Sequence, residues 1–317
     1  VNGFAAGEAG SPEDVYRRAE AAFLGVAVGD ALGATTEFMT PGEIRVRYNV
    51  HRKIIGGGLL NLKRGQVTDD TQMSFCIARA LCITGYWDLR EIAEQFVAWL
   101  KSPPVDVGTT CRRGIRNYMM TGDLAVSHDP WGAGNGAVMR MAPVALFTLG
   151  STAELTRCAT EQAHLTHNNP LSDAACIAVG RMIHEALIRG EGAPLRTIAR
   201  ELVAAYPPFE FANYRGAHTG YVVDTMTTVF HFLFTTASFE DCLVGVVNQG
   251  GDADTNGAIA GMIAGAFYGL NAIPRHWLRR LDPEAREAAR EYAARLIRLS
   301  PWMASAADTT SKGNYLA

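Results

Sequence analysis

The chain has 317 residues, 48% of them hydrophobic, and a formal net charge of -3. That is enough apolar material for a large core, and a slightly acidic chain with no basic stripe argues against a general nucleic-acid binder, which needs cations to neutralise phosphates. Six cysteines, Cys76, Cys82, Cys111, Cys158, Cys176 and Cys242, are scattered without a CxxC pair, as expected of a reduced, cytoplasmic protein. Residues 1–11 lack the charged-then-apolar order of a secretory signal, and the longest apolar stretch, 258–270, is too short to span a bilayer.

In chain order, residues 1–15 read as a flexible segment, 16–300 as one domain, and the polar, aperiodic 301–317 as a disordered tail. No linker-like composition interrupts the middle. Apolar residues recur at spacings of three and four while alternation is rare, which predicts an all-α fold. Ala19, Ala22, Phe23 and Val26 share the face of a first helix, followed by 73–83, 92–100, 174–188, 221–234, 258–270 and 285–299. Pro104, Pro130, Pro170, Pro207, Pro208 and Pro274 act as breakers between them.

Two of these helices carry glycine at every fourth position: Gly25, Gly29 and Gly33 in one, Gly261, Gly265 and Gly269 in the other. Each glycine costs about 1 kcal/mol of helix propensity relative to alanine. Close approach of another backbone is the expected compensation.

The strongest chemical signal is TDDTQM, where Asp69 and Asp70 lie between Thr68 and Thr71 just before a helix. One carboxylate at a helix start is a cap, but a second beside it adds repulsion that a divalent cation would relieve. NQGGDADTNG repeats the theme with Asp252, Asp254 and Thr255. Carboxylates two apart among glycines suit a hard cation that takes oxygen ligands, although the EF-hand loop is absent. From the residues alone, two unrelated capping loops and one shared metal site both remain open.

WGAGNGAVMR spans Gly132, Gly134, Asn135, Gly136 and Met139 and would let backbone amides approach an anion, or form no more than a tight turn. It matches neither G-x-G-x-x-G after a strand nor a P-loop. Glu37 and Asp106 are acids among apolar neighbours, so burial would raise their pKa and suit them to proton transfer. His167 stands beside two asparagines and Pro170, and by itself reads as a capping or core histidine. His164, three residues earlier, has no further ligand at metal spacing, which argues against zinc.

The segments GVAVGDALGATTEFM, TDDTQM, KSPPVDVG, GAGNGAVMR, THNNPLSDAAC and NQGGDADTNGAIAGMIAG, in this order, resemble the ADP-ribosylglycohydrolase family over residues 21–299. HRKIIGGG and YVVDTM point to its nitrogenase-regulating branch. The resemblance implies a compact helical domain around two divalent cations, Mn2+ in preference or Mg2+, held by Thr68, Asp69, Asp70, Asp252, Asp254 and Thr255. It implies catalytic roles for Asp106 and Glu37. It makes Gly132, Gly134, Asn135, Gly136, Met139, His167 and Tyr221 the contacts to ADP-ribose.

The implied reaction is hydrolysis of the bond from ADP-ribose to an arginine of a target protein, nitrogenase iron protein for this branch. The implied partners are a PII-type signalling protein and an ammonium channel that recruits the enzyme reversibly to the inner membrane. Hydrolysis of another linkage (serine, DNA or small molecule) and a non-catalytic ADP-ribose-binding regulator are the alternatives. Thr109 and Asn256 depart from the family pattern.

Overall fold

Fourteen α-helices follow one another without a β-strand among the described residues, which in this computed structural model are 11–304 except 191, 217 and 218. They are α1 (Pro12–Gly33), α2 (Pro41–Tyr48), α3 (Asp69–Thr84), α4 (Leu89–Lys101), α5 (Thr109–Thr121), α6 (Met141–Phe147) and α7 (Thr152–His164). The second half adds α8 (Pro170–Arg189), α9 (Gly192–Ala205), α10 (Val222–Thr235), α11 (Phe239–Val247), α12 (Ala253–Tyr268), α13 (Arg275–Arg280) and α14 (Pro283–Leu299). The flexible segment expected at 1–15 lies outside the described residues as far as residue 10, and α1 begins at Pro12 behind a Ser11–Asp14 capping box. Residues 301–304 are helical, and the tail expected beyond them lies outside the described residues.

A single apolar core runs from Val15 to Ile297, so there is one folding body rather than two. Its axis is the pair α1 and α12, α12 buried along almost its whole length and α1 from Ala21 onward. The two run antiparallel: a Cβ on Gly25 would collide with the carbonyl of Gly261, one on Gly29 with Gly257, one on Gly33 with Ala253, and one on Gly265 with Ala21. The fourfold glycine spacing therefore serves the expected close approach, with one correction. Gly269 lies outside the crossing, as the C-cap of α12 with φ 78° and nothing near its missing side chain; Gly257 takes its place in the stripe.

This packing sets the C-terminus of α1 beside the N-terminus of α12. The loops leaving those ends are stitched together, because the Phe38 amide donates to Gly251 O at 2.6 Å and the Gly251 amide to Met39 O at 2.9 Å. Phe38 adopts a left-handed φ of 58°, an uncommon conformation for a bulky residue and one that the flanking contacts must hold. Gly250 and Gly251, at φ 69° and 60°, supply the reverse bend that only glycine takes without strain.

No helix among the described residues is long and apolar enough to cross a membrane. All six cysteines are unpaired.

Candidate metal centre and active-site cavity

Three chain segments bring carboxylates to one place. Glu37 follows α1, Asp69 and Asp70 open α3, and Asp252 and Asp254 open α12. Ligand oxygens of Glu37, Asp252 and Asp254 all lie within 4.8 Å of one another. Capping does not account for these acids: Thr68 and Asp252 occupy the N-cap positions of α3 and α12, and neither side chain makes a capping bond. The Thr68 hydroxyl instead donates to Asp30 Oδ1 at 3.0 Å and lies 3.2 Å from Asp70 Oδ2. Asp254 Oδ1 accepts the Thr255 amide at 2.9 Å, and Asp252 Oδ2 accepts Asn135 Nδ2 at 2.7 Å.

Buried like charges without a counter-ion hold their protons. Burial, then the nearby charges of Asp106, Asp252 and Asp69, pushes Glu37 up to about 8; burial and then Asp106 push Asp69 up to about 7. Burial foremost, and then their acidic neighbours, carries Asp70 and Asp254 well above the carboxylate range. Glu37 Oε2 and Asp70 Oδ1 are buried and have no hydrogen-bond partner among the described residues. Orphaned acceptor oxygens in a crowd of carboxylates are the donor set a hard divalent cation takes, so the residues suit the metal that the resemblance implies.

Above this floor is a cavity of about 730 Å3, a volume suited to a nucleotide-sized ligand. Glu37, Asp69, Asp106, Asp252, Asp254 and Thr255 line it together with Gly134, Asn135, Gly136, Met139 and His167, and among the described residues no lysine or arginine does. Thr68, Asp70, Gly132 and Tyr221 do not line it. Thr68 and Asp70 lie fully buried. Gly132 is turned toward Asp129, and the 41% exposed Tyr221 meets the loop through its backbone, in a bridge to Gly134. Asp106, half-buried, accepts the Val107 amide on Oδ1 at 2.8 Å; burial raises its pKa above the usual value.

The glycine loop is tied down twice, since Asn135 Nδ2 also donates to Thr225 Oγ1 at 2.9 Å. His167 is buried, with Nδ1 2.8 Å from Thr166 Oγ1, and burial and then the charges of Arg140 and Arg113 press its pKa down to about 3. Of the two departures from the family pattern, Thr109 lines the cavity, and Asn256 is fully buried on α12 with neither side-chain amide atom hydrogen bonded among the described residues.

Two residues escaped the sequence reading. Asp30, fully buried on α1, accepts both the amide and the hydroxyl of Thr68 and of Thr71, and so caps α3 from another helix. Its signal was a lone acid inside a glycine-rich apolar helix, GVAVGDALG. Arg140 is the other: it too is fully buried, inside a motif read only for its glycines.

An all-helical scaffold here gathers acids from two helix starts and from the loop after α1 beneath a nucleotide-sized cavity, a set of oxygen donors that would suit a hard cation. The profile of the ADP-ribosylglycohydrolase family matches residues 11–305, and the chain belongs to that family of hydrolytic enzymes, in which metal dependence is a shared feature. Among its relatives is the ADP-ribosyl-[dinitrogen reductase] glycohydrolase of Rhodospirillum rubrum, 53% identical across 90% of this chain and 97% of that protein. The ADP-ribosylarginine hydrolase Tri1 of Serratia proteamaculans is 31% identical across 85% of this chain and 76% of its own length. A solved structure described as an ADP-ribosylglycohydrolase-related protein complex superposes with a TM-score of 0.80 at 33% identity, covering 90% of this chain and 99% of that one.

Proposed function

We propose that the chain hydrolyses the N-glycosidic bond between ADP-ribose and an arginine of a target protein, with nitrogenase iron protein (dinitrogenase reductase) as that target. The observation that carries the reading is the cavity lined by five carboxylates and, among the described residues, by no lysine or arginine, taken with 53% identity over 90% of the chain to a glycohydrolase named for that substrate. A negative cavity suits a glycoside of a cationic guanidinium. Its diphosphate would be held by neutral donors, namely the Gly136 amide and His167, rather than by lysine or arginine, since the Gly134 and Asn135 amides already donate to Gly132 O and Gly220 O.

Glu37, Asp69, Asp70, Asp252 and Asp254, with Thr68 and Thr255, are the proposed holders of two divalent cations, Mn2+ or Mg2+. Bound there, such ions polarise ribose oxygens and lower the pKa of a bound water toward neutrality. Asn135 orients Asp252, and Asp30 fixes the start of α3 that carries Asp69 and Asp70. Asp106 is the proposed proton carrier: Oδ1 is occupied by the Val107 amide, the other oxygen has no hydrogen-bond partner among the described residues, and burial raises its pKa above the usual carboxylate value. Water and the ADP-ribosylarginine are consumed; free ADP-ribose and unmodified arginine are released. Glu37, lying among the ligand oxygens, is assigned to the metal rather than to proton transfer.

The test is release of ADP-ribose from ADP-ribosylated dinitrogenase reductase with Mn2+, with Mg2+ and with chelator. Cation-dependent release supports the proposal, and binding of ADP-ribose without release under any metal would replace it with the regulator reading. A panel of serine-linked, DNA-linked and small-molecule ADP-ribose separates the other hydrolases. The proposal places the enzyme in the cytoplasm. Recruitment to the inner membrane by a PII-type protein and an ammonium channel belongs to the same proposal, and co-purification with those partners tests it.

A further inference from the structure

Arg140 is fully buried, and among the described residues no carboxylate lies within ion-pair distance of it. Neutral groups satisfy it instead. Nε donates to Gln162 Oε1 at 2.7 Å, Nη2 to Gln162 O at 2.9 Å and to Thr166 Oγ1 at 2.7 Å, and the guanidinium lies 4.9 Å from the centroid of the Phe96 ring. A guanidinium only donates, so the Thr166 hydroxyl accepts from Arg140 and must place its own single proton elsewhere. The acceptor within reach is His167 Nδ1, at 2.8 Å. A hydrogen on Nδ1 would leave the buried hydroxyl proton with no acceptor, an arrangement folded proteins avoid. With Nδ1 accepting, the neutral imidazole carries its hydrogen on Nε2.

The other edge of the ring faces the glycine loop. A Cβ at Gly134 would sit 2.9 Å from His167 Nε2, and one at Gly136 would sit 2.9 Å from Cε1. The two glycines keep that edge clear, His167 lines the cavity, and Nε2 has no hydrogen-bond partner among the described residues.

We propose that Arg140 and Thr166 are positioning residues that lock His167 as the Nε2–H tautomer, so that a neutral ring offers one hydrogen-bond donor to a ribose or phosphate oxygen of the bound ligand. The ligand half of this proposal rests on the ADP-ribose reading above. The device is a one-way relay. The cation never enters the cavity, yet it decides which ring nitrogen faces the ligand.

Nitrogen-15 NMR of the full chain labelled at histidine tests it. In the unliganded wild type, His167 should show a protonated Nε2 and an unprotonated Nδ1, and Thr166→Ser, which keeps the hydroxyl, should look the same. Thr166→Val should shift population to Nδ1–H and weaken ADP-ribose binding about tenfold, the scale of one hydrogen bond. Saturating ADP-ribose should move the wild-type Nε2 resonance and leave Nδ1 in place. A wild-type Nδ1–H signal, or a Thr166→Val protein with unchanged tautomer and affinity, overturns the relay; an Nε2 resonance indifferent to bound ADP-ribose overturns the ligand contact. The wild-type tautomer is read without ligand or turnover, so it stands or falls separately from the proposed reaction.

Discussion

Asp30 on α1 reaches across to Thr71 on α3, accepting its hydroxyl at 2.5 Å and its amide at 3.3 Å. The amide belongs to the first turn of α3, where no intrahelical acceptor exists. Replacing Asp30 with alanine leaves those donors buried and unpaired, and hydrogen bonds to a charged acceptor are worth roughly 1.5–3 kcal/mol. The expected loss is about 3 kcal/mol of stability in urea denaturation, with weaker cation binding because Asp69 and Asp70 lose their support. An Asp30→Ala protein as stable as wild type would show that α3 is held by packing alone.

The metal-free protein should lose stability as pH rises. Glu37, Asp69 and Asp30 have pKa values raised to about 8, 7 and 6, with burial the first cause for each. A carboxyl whose pKa is higher folded than unfolded binds its proton more tightly in the native state, so its contribution is full below about pH 4 and disappears as pH climbs through the folded value. With chelator present, the denaturation midpoint should fall between pH 5 and pH 8, and Mn2+ should restore it at pH 8. A midpoint that rises over the same window in chelator would contradict the buried, unneutralised cluster.

Asp106 and Asp254 should fail in different ways. Asp254→Asn removes a ligand charge, so calorimetry should show lost cation affinity together with turnover reduced at least about a hundredfold. Asp106→Asn should bind cations normally while kcat falls by roughly a hundredfold to ten-thousandfold, the usual worth of a positioned acid or base. Equal cation affinities in the two variants would undo the division of labour between floor and mouth.

Gly29→Ala pits two effects of opposite sign. Alanine gains about 1 kcal/mol of helix propensity, but its methyl would drive into the Gly257 carbonyl, which belongs to a helix backbone that cannot swing aside. Overpacking typically costs about 1–3 kcal/mol, and a clash with fixed backbone stands at the upper end of that range. Thermal unfolding should therefore show a net loss, and a gain in melting temperature would mean that the two backbones are less close than they stand here.

The amphipathic helices α3, α4, α8, α10 and α14 were legible because their faces repeat, and α12, buried nearly all round, through the length of its apolar run. Others left no such trace. All seven residues of α6 are buried, so no polar face marks a period, and α2 is an eight-residue helix with only Ile44 buried. Within the site, the acid pairs of TDDT and DADT stood out, because adjacent like charges are costly unless something neutralises them. Asp30 and Arg140 did not, since the role of each depends on a partner 38 or more residues away for Asp30 and on Gln162 and Thr166 for Arg140. Tyr221 shows the reverse: the motif drew attention to its ring, while its backbone makes the contact with the glycine loop.

Because α1 and α12 touch backbone to backbone, their crossing acts as a ruler. An ordinary helix contact, cushioned by long side chains, can slip by a fraction of a turn and repack. Here the carbonyls of one helix occupy the hollows of the other, and a single inserted residue in α1 would turn everything beyond it by about 100° and close the hollows. Glu37 would then swing away from Asp252 and Asp254. Only the outer loops can change length without disturbing the distance between the acids.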